Sequence, residues 1–147
     1  MALPKIRIYN RQGKHRPNLP WLRRTVKAAL PACLESLTGP SAPLAQLAEI
    51  EITIISDGDI ALVHADFLND PTPTDVITFH HGEILVSADT ALRQGAEHGQ
   101  PLDQELALYM IHGLLHLAGW DDHDPDEAAR MAARQFTILR EATSAAN

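Results

Sequence analysis

The twelve residues His112-Gly113-Leu114-Leu115-His116-Leu117-Ala118-Gly119-Trp120-Asp121-Asp122-His123 hold the densest group of metal-ligating side chains in this 147-residue chain. His112 and His116 follow the apolar residues 106–111 and stand four apart, so on a helix their imidazoles project from one face, one turn apart. Two rings on an apolar face are costly to bury unless something binds their nitrogens. Gly119 supplies a helix stop, and the acidic, His-containing residues 120–123 return within reach of the same point. Two imidazoles and one more ligand make a three-ligand site whose fourth position stays open, the pattern of a catalytic metal.

One residue decides against peptide hydrolysis. Where an HExxH metalloprotease carries the glutamate that serves as general base, this chain has Gly113. The remaining chemistry is metal-assisted hydrolysis, in which an ion activates water or stabilises developing phosphoryl charge.

Two upstream blocks accompany the helix: Pro73-Thr74-Asp75-Val76-Ile77-Thr78-Phe79 and Gly82-Glu83-Ile84-Leu85-Val86-Ser87. Together with the HGLLHLAG string they resemble the YbeY-type ribosomal RNA maturation endoribonucleases, whose signatures are HGxLHLxG, PTDVLSF and GDIxIS. The resemblance covers most of residues 60–130. It implies a single small α+β domain spanning residues 1–147, with one zinc-like ion per chain. It also implies single-strand-specific cleavage in ribosomal RNA maturation, at the 3′ end of 16S RNA, and a part in ribosome quality control. RNA is then the partner, together with the small ribosomal subunit or its proteins. A noncatalytic ribosome-assembly factor with a structural metal, or a hydrolase of another substrate, is the alternative.

The chain departs from that pattern twice. The family's third ligand is a His ten residues after the first; here that position is Asp122, and a histidine follows one residue later at His123. Position favours Asp122 and ligand chemistry favours His123, since a shift of one residue in an extended segment turns the side chain over. Asp122 is the expected ligand, with His123 in its place if the loop is longer. The second departure is Phe67-Leu68-Asn69 where the family often has an aromatic-Arg-Gly step, which removes a phosphate-binding arginine.

The elements that must position these residues fit one domain. With 45% hydrophobic residues the chain can bury a sizeable core. No run approaches the roughly 18 apolar residues of a membrane span, so a cytoplasmic protein with no membrane partner is expected. Cys33 is the one cysteine, and its setting among alanine, leucine and proline reads as core. Charge is segregated: residues 1–34 hold eight of the twelve basic residues and none of the nineteen acids, so they carry +8 and the remainder −15. Arg23, Arg24 and Lys27 in this segment are candidate RNA contacts.

Periodicity predicts a four-stranded sheet packed with about five helices. Strands are expected at 6–10, 48–56, 75–80 and 83–87, and helices at 18–37, 56–68, 89–98, 103–118 and 125–143. Pro31 should kink or divide the first helix. Thr74 and Asp75 at a strand start, and His80 and His81 at a strand end, are secondary candidates for contact with RNA or the metal's surroundings. Trp120 is expected to pack against the preceding helix and fix the return of Asp122, and Asp121 to orient a ligand histidine or stand solvated in the turn.

Overall fold

The computed structural model describes residues 3–146. Apolar alternation at Ile6 and Ile8 and at Ile50, Ile52 and Ile54 produces strands β1 (Lys5–Asn10) and β2 (Glu49–Ile55), paired parallel with Ile8 opposite Ile52. Strand β4 (Glu83–Ser87) lies on the other side of β2, also parallel, with Ile54 opposite Val86. Strand β3 (Val76–Phe79) folds back antiparallel on β4, which gives the order β1-β2-β4-β3. The hairpin between them turns at Gly82, where φ is +107° and a Cβ would come within 2.9 Å of the Glu49 carbonyl oxygen. Only glycine accepts both conditions.

Among the described residues six helices pack with the sheet: α1 (Leu19–Glu35), α2 (Pro43–Gln46), α3 (Asp57–Leu68), α4 (Ala88–Glu97), α5 (Leu102–Leu117) and α6 (Pro125–Ala146). The sixth is α2, a single turn begun by Pro43 and too short for a 3.6-residue period to register. Helix α1 runs through Pro31 undivided, which corrects the expected break. Pro31 is exposed, so the Lys27 carbonyl that loses its partner meets water. The long α1 starts on Asn18, whose side chain accepts from the Trp21 N–H at 3.1 Å.

The period of two in the strands divides the interior. Ile50, Ile52, Ile54, Ile84 and Val86 are fully buried on the face covered by α1, α4, α5 and α6. Ile55, Ile77 and Leu85 point to the opposite face and form a small second core with Ile60 of α3. Helix α5 lies within the larger core, with Leu106, Ala107, Met110, Ile111, Leu114, Leu115 and Leu117 all inaccessible to solvent. His112 and His116 are the half-buried polar exceptions of its C-terminal half. Burial pushes the Cys33 thiol up to about 12, which keeps it protonated and unreactive in this core. No helix among the described residues is long and apolar enough to cross a membrane.

The C-terminal ends of β2 and β4 are tied by a polar network. The Asp89 carboxylate accepts from the Asp57 N–H at 2.8 Å and faces His15 Nε2 at 2.8 Å. Asp57 accepts from the Ser87 hydroxyl, from Thr90 Oγ1 at 2.7 Å and from Arg93 Nη1 at 2.7 Å. Burial pushes the Asp57 carboxyl up, and these donors outweigh it, leaving the group below the usual carboxylate range.

Candidate metal centre

Close packing brings α5, with its two histidines, to the sheet edge. A Cβ on Gly113 would lie 2.8 and 2.9 Å from Ile84 side-chain carbons and 3.1 Å from Thr78 Oγ1. Glycine therefore lets α5 seat directly on β4 and β3, and it sets His112 beside the edge strand. The position occupied by the base in a zinc protease has no room for a side chain.

Helix α5 ends in a Schellman motif. The Gly119 N–H donates to the His116 carbonyl and the Trp120 N–H to the Leu115 carbonyl, both at 3.0 Å, with Gly119 at φ +105°. Trp120 is then held from two sides. Its indole N–H donates to the Ser36 carbonyl beyond the end of α1 at 2.7 Å, and its own carbonyl faces His116 Nδ1 at 3.0 Å. The chain that follows is thereby aimed so that Asp122 returns over the two imidazoles.

The hydrogen bonds fix the tautomers. A carbonyl oxygen can only accept, so His116 carries its proton on Nδ1; His112 Nδ1 likewise donates to Gln135 Oε1 of α6 at 2.8 Å. Both Nε2 lone pairs consequently point at one another, 3.0 Å apart. Burial pushes the His116 imidazole below its usual range, and the adjacent His112 adds to the shift. Two ring nitrogens this close call for a proton or a metal cation between them.

Asp122 completes the donor set, with Oδ2 3.5 Å from His112 Nε2 and Oδ1 3.8 Å from His116 Nε2. These three separations bracket the edge of about 3.3 Å expected between tetrahedral ligands held at about 2.0–2.1 Å. Among the described residues His112, His116 and Asp122 form one group able to hold a metal ion, and imidazole with carboxylate suits a zinc-like divalent ion. His123 turns away: its Nε2 pairs with Asp121 Oδ2 at 2.9 Å and its side chain is 83% exposed. The three groups open into a cleft of about 720 Å³ along the outer edge of β3, walled by Phe67 and Leu68 of α3, by residues 74–80, and by Asp121 and His123.

A family model described as Endoribonuclease YbeY matches residues 7–143. The chain belongs to the YbeY endoribonuclease family. Curated relatives named Endoribonuclease YbeY include one from Cyanothece sp., 35% identical over 121 residues that cover 70% of this chain and 72% of the relative. Another, from Heliobacterium modesticaldum, is 32% identical over 130 residues, covering 74% and 76%. The solution structure of TM1509 from Thermotoga maritima superposes with a TM-score of 0.61 at 26% identity, covering 93% of this chain and 88% of that one. This YbeY chain therefore shares the small α+β fold expected from its sequence.

Other candidate residues of this YbeY chain fall into two groups. Thr74, Asp75 and His80 line the cleft. Asp75 also accepts from the Val76 N–H at 2.8 Å, so it caps the strand as well. His81 lies outside the cleft lining, stacked on Phe79 with ring centroids 5.6 Å apart. Asp121 accepts from the Asp122 N–H and pairs with His123, and makes no hydrogen bond to His112 or His116. Arg23, Arg24 and Lys27 are exposed on α1, which packs against β1 at the opposite sheet edge, and none lines the cleft. Three strand spacings put the edges about 14 Å apart. Arg23 also donates to the Ile8 carbonyl at 3.1 Å.

Gln135 is the site residue that sequence reasoning misses. It lies 23 positions from the histidine it orients, and glutamine on an amphipathic helix carries no ligand signal.

Proposed function

We propose that this protein is a metal-dependent endoribonuclease that hydrolyses single-stranded RNA in ribosomal RNA maturation, with one zinc-like ion held by His112, His116 and Asp122. The observation that carries the reading is the convergence of two Nε2 lone pairs and a carboxylate in an open cleft, in a chain of the YbeY family. An ion bound there supplies a water of lowered pKa and polarises a phosphoryl oxygen. Gln135 and the Trp120 carbonyl hold the Nδ1 protons and keep both Nε2 atoms available. Gly113 presents no carboxylate, which favours a phosphodiester over a peptide as substrate. The open side of a three-ligand group favours turnover over a structural metal in an assembly factor.

In this reading the 3′ end of small-subunit ribosomal RNA is the target, the small subunit is the partner, and the protein acts in the cytoplasm as a single domain. One continuous core shared by the sheet and α1, α4, α5 and α6 supports the single domain. Arg23, Arg24 and Lys27 then hold RNA at a distance from the cleft. The test is elemental analysis with a cleavage assay on single-stranded RNA. Wild type should carry about one divalent ion per chain, while His112→Ala and His116→Ala lose both ion and cleavage and keep RNA binding. Asp122→Ala should weaken metal binding far more than His123→Ala. Stoichiometric metal in the double histidine variant, or cleavage that survives metal loss, would overturn the proposal.

A further inference from the structure

The cleft has an unusual lining for a protein that handles a polyanion. Among the described residues no lysine or arginine lines it; the groups that can carry charge are histidines and the acids Asp75, Asp121 and Asp122. Phosphate contacts in this part of the molecule are therefore few, and strand affinity there must have another source. The wall nearest α3 supplies one. Phe67 is 68% exposed and Leu68 59% exposed, side by side at the end of α3. The small core beneath α3 is built from Ile55, Ile60, Ile77 and Leu85 without Phe67, so folding has little need of this ring.

Phe67 is nonetheless held. It meets Phe79 edge-to-face with centroids 5.3 Å apart, and Phe79 is stacked on His81. An aromatic ring fixed by one neighbour and open to solvent is a stacking platform, since every nucleobase offers a π-face. Phe67 and Phe79 line the same cleft as His112, His116 and Asp122, so a base on this platform sits within the cavity of the metal ligands. The same two rings also border a groove on the sheet, whose charged lining is mixed, Arg11 with Glu51, Asp59 and Glu83, and which holds none of the metal-ligating groups.

We infer that Phe67 is a nucleobase-stacking residue, which positions single-stranded RNA over the metal centre through a base rather than through its phosphates. The inference rests on the proposed endoribonuclease reading and goes beyond it in naming how the strand is held. The probes are a short oligoadenylate and an abasic oligomer of equal length, bound to the full chain in the presence of a chelator that prevents turnover. Phe67→Leu should weaken oligoadenylate binding about tenfold, as loss of one stacked base does. Phe67→Trp should retain binding, with the introduced indole quenched by the oligomer. Abasic binding should be the same in all three proteins, and the salt dependence of oligoadenylate binding should not change, because no phosphate contact is removed. Equal melting temperature and zinc content in Phe67→Leu separate this effect from misfolding.

Oligoadenylate binding that ignores the ring, or an equal loss with the abasic oligomer, would overturn the inference. A separate assay with zinc restored distinguishes it from the reading beneath it. Ring-dependent binding without cleavage by wild type would sink the nuclease assignment and leave stacking in place; cleavage with ring-independent binding would do the reverse.

Discussion

Gln135 is the most informative residue to change, because its expected role is indirect. Its Oε1 accepts the Nδ1 proton of His112 at 2.8 Å, and the opposite nitrogen of that ring is a proposed metal ligand. Gln135→Leu keeps similar bulk and removes the acceptor. Without it the imidazole is free to swing, or to move its proton to Nε2 and lose the lone pair aimed at Asp122 and His116. Loss of such an outer hydrogen bond costs about 10–100-fold in metal affinity, which is about 1.4–2.7 kcal/mol. The cost to the metal-free fold is smaller: one neutral hydrogen bond at a half-buried site is worth about 1 kcal/mol, or roughly 2–4 °C in melting temperature for a chain of this size.

The assay is competition for zinc against a chromophoric chelator, alongside thermal unfolding with and without zinc. At a fixed excess of free zinc, each tenfold loss of affinity removes about 1.4 kcal/mol of metal-linked stability. The gap between the two melting curves should therefore narrow in Gln135→Leu. Gln135→Glu should preserve it, since a carboxylate accepts the same proton. A variant that melts lower without metal yet binds zinc within about twofold of wild type would refute the argument and reduce Gln135 to a packing residue.

Three further outcomes follow from the same geometry. Gly113→Glu recreates an HELLH string, yet its Cβ would press on buried Ile84; we expect a loss of about 1–3 kcal/mol in stability and no peptidase activity, measured by chemical unfolding and casein hydrolysis. Asp57 has its pKa lowered in the folded state, so the stability it adds is present above its unfolded pKa of about 3.9 and is lost as pH falls through the lower folded value. Asp57→Asn should accordingly flatten the acid limb of the stability curve, and an unchanged limb would count against the network. Neutralising Arg24 and Lys27 together should weaken RNA binding and lower its salt slope by about 0.7 per lost contact on a single strand, with zinc content unchanged; an unaltered slope would remove α1 from the RNA surface.

The parts legible in the sequence are those set by short-range periodicity. The i, i+4 spacing of His112 and His116 brings two rings to one helix face whatever surrounds them, and Gly119 ends that helix because few other residues tolerate a φ of +105°. Isoleucine at every second position of residues 50–54 commits that segment to a strand with one buried face. The resemblance of three motifs extended this local reading to a family, and the four-stranded α+β fold matched it. Tertiary structure decided the rest. The direction of Asp122 relative to His123 depends on Trp120 being bonded to Ser36, 84 residues away, and the orientation of His112 depends on Gln135 in another helix. The reason for Gly113 is likewise distant, in the side chains of Ile84 and Thr78. Local spacing determines which faces of the backbone carry which side chains, whereas contacts between elements far apart in sequence select among loop paths and rotamers that are nearly equal in local energy.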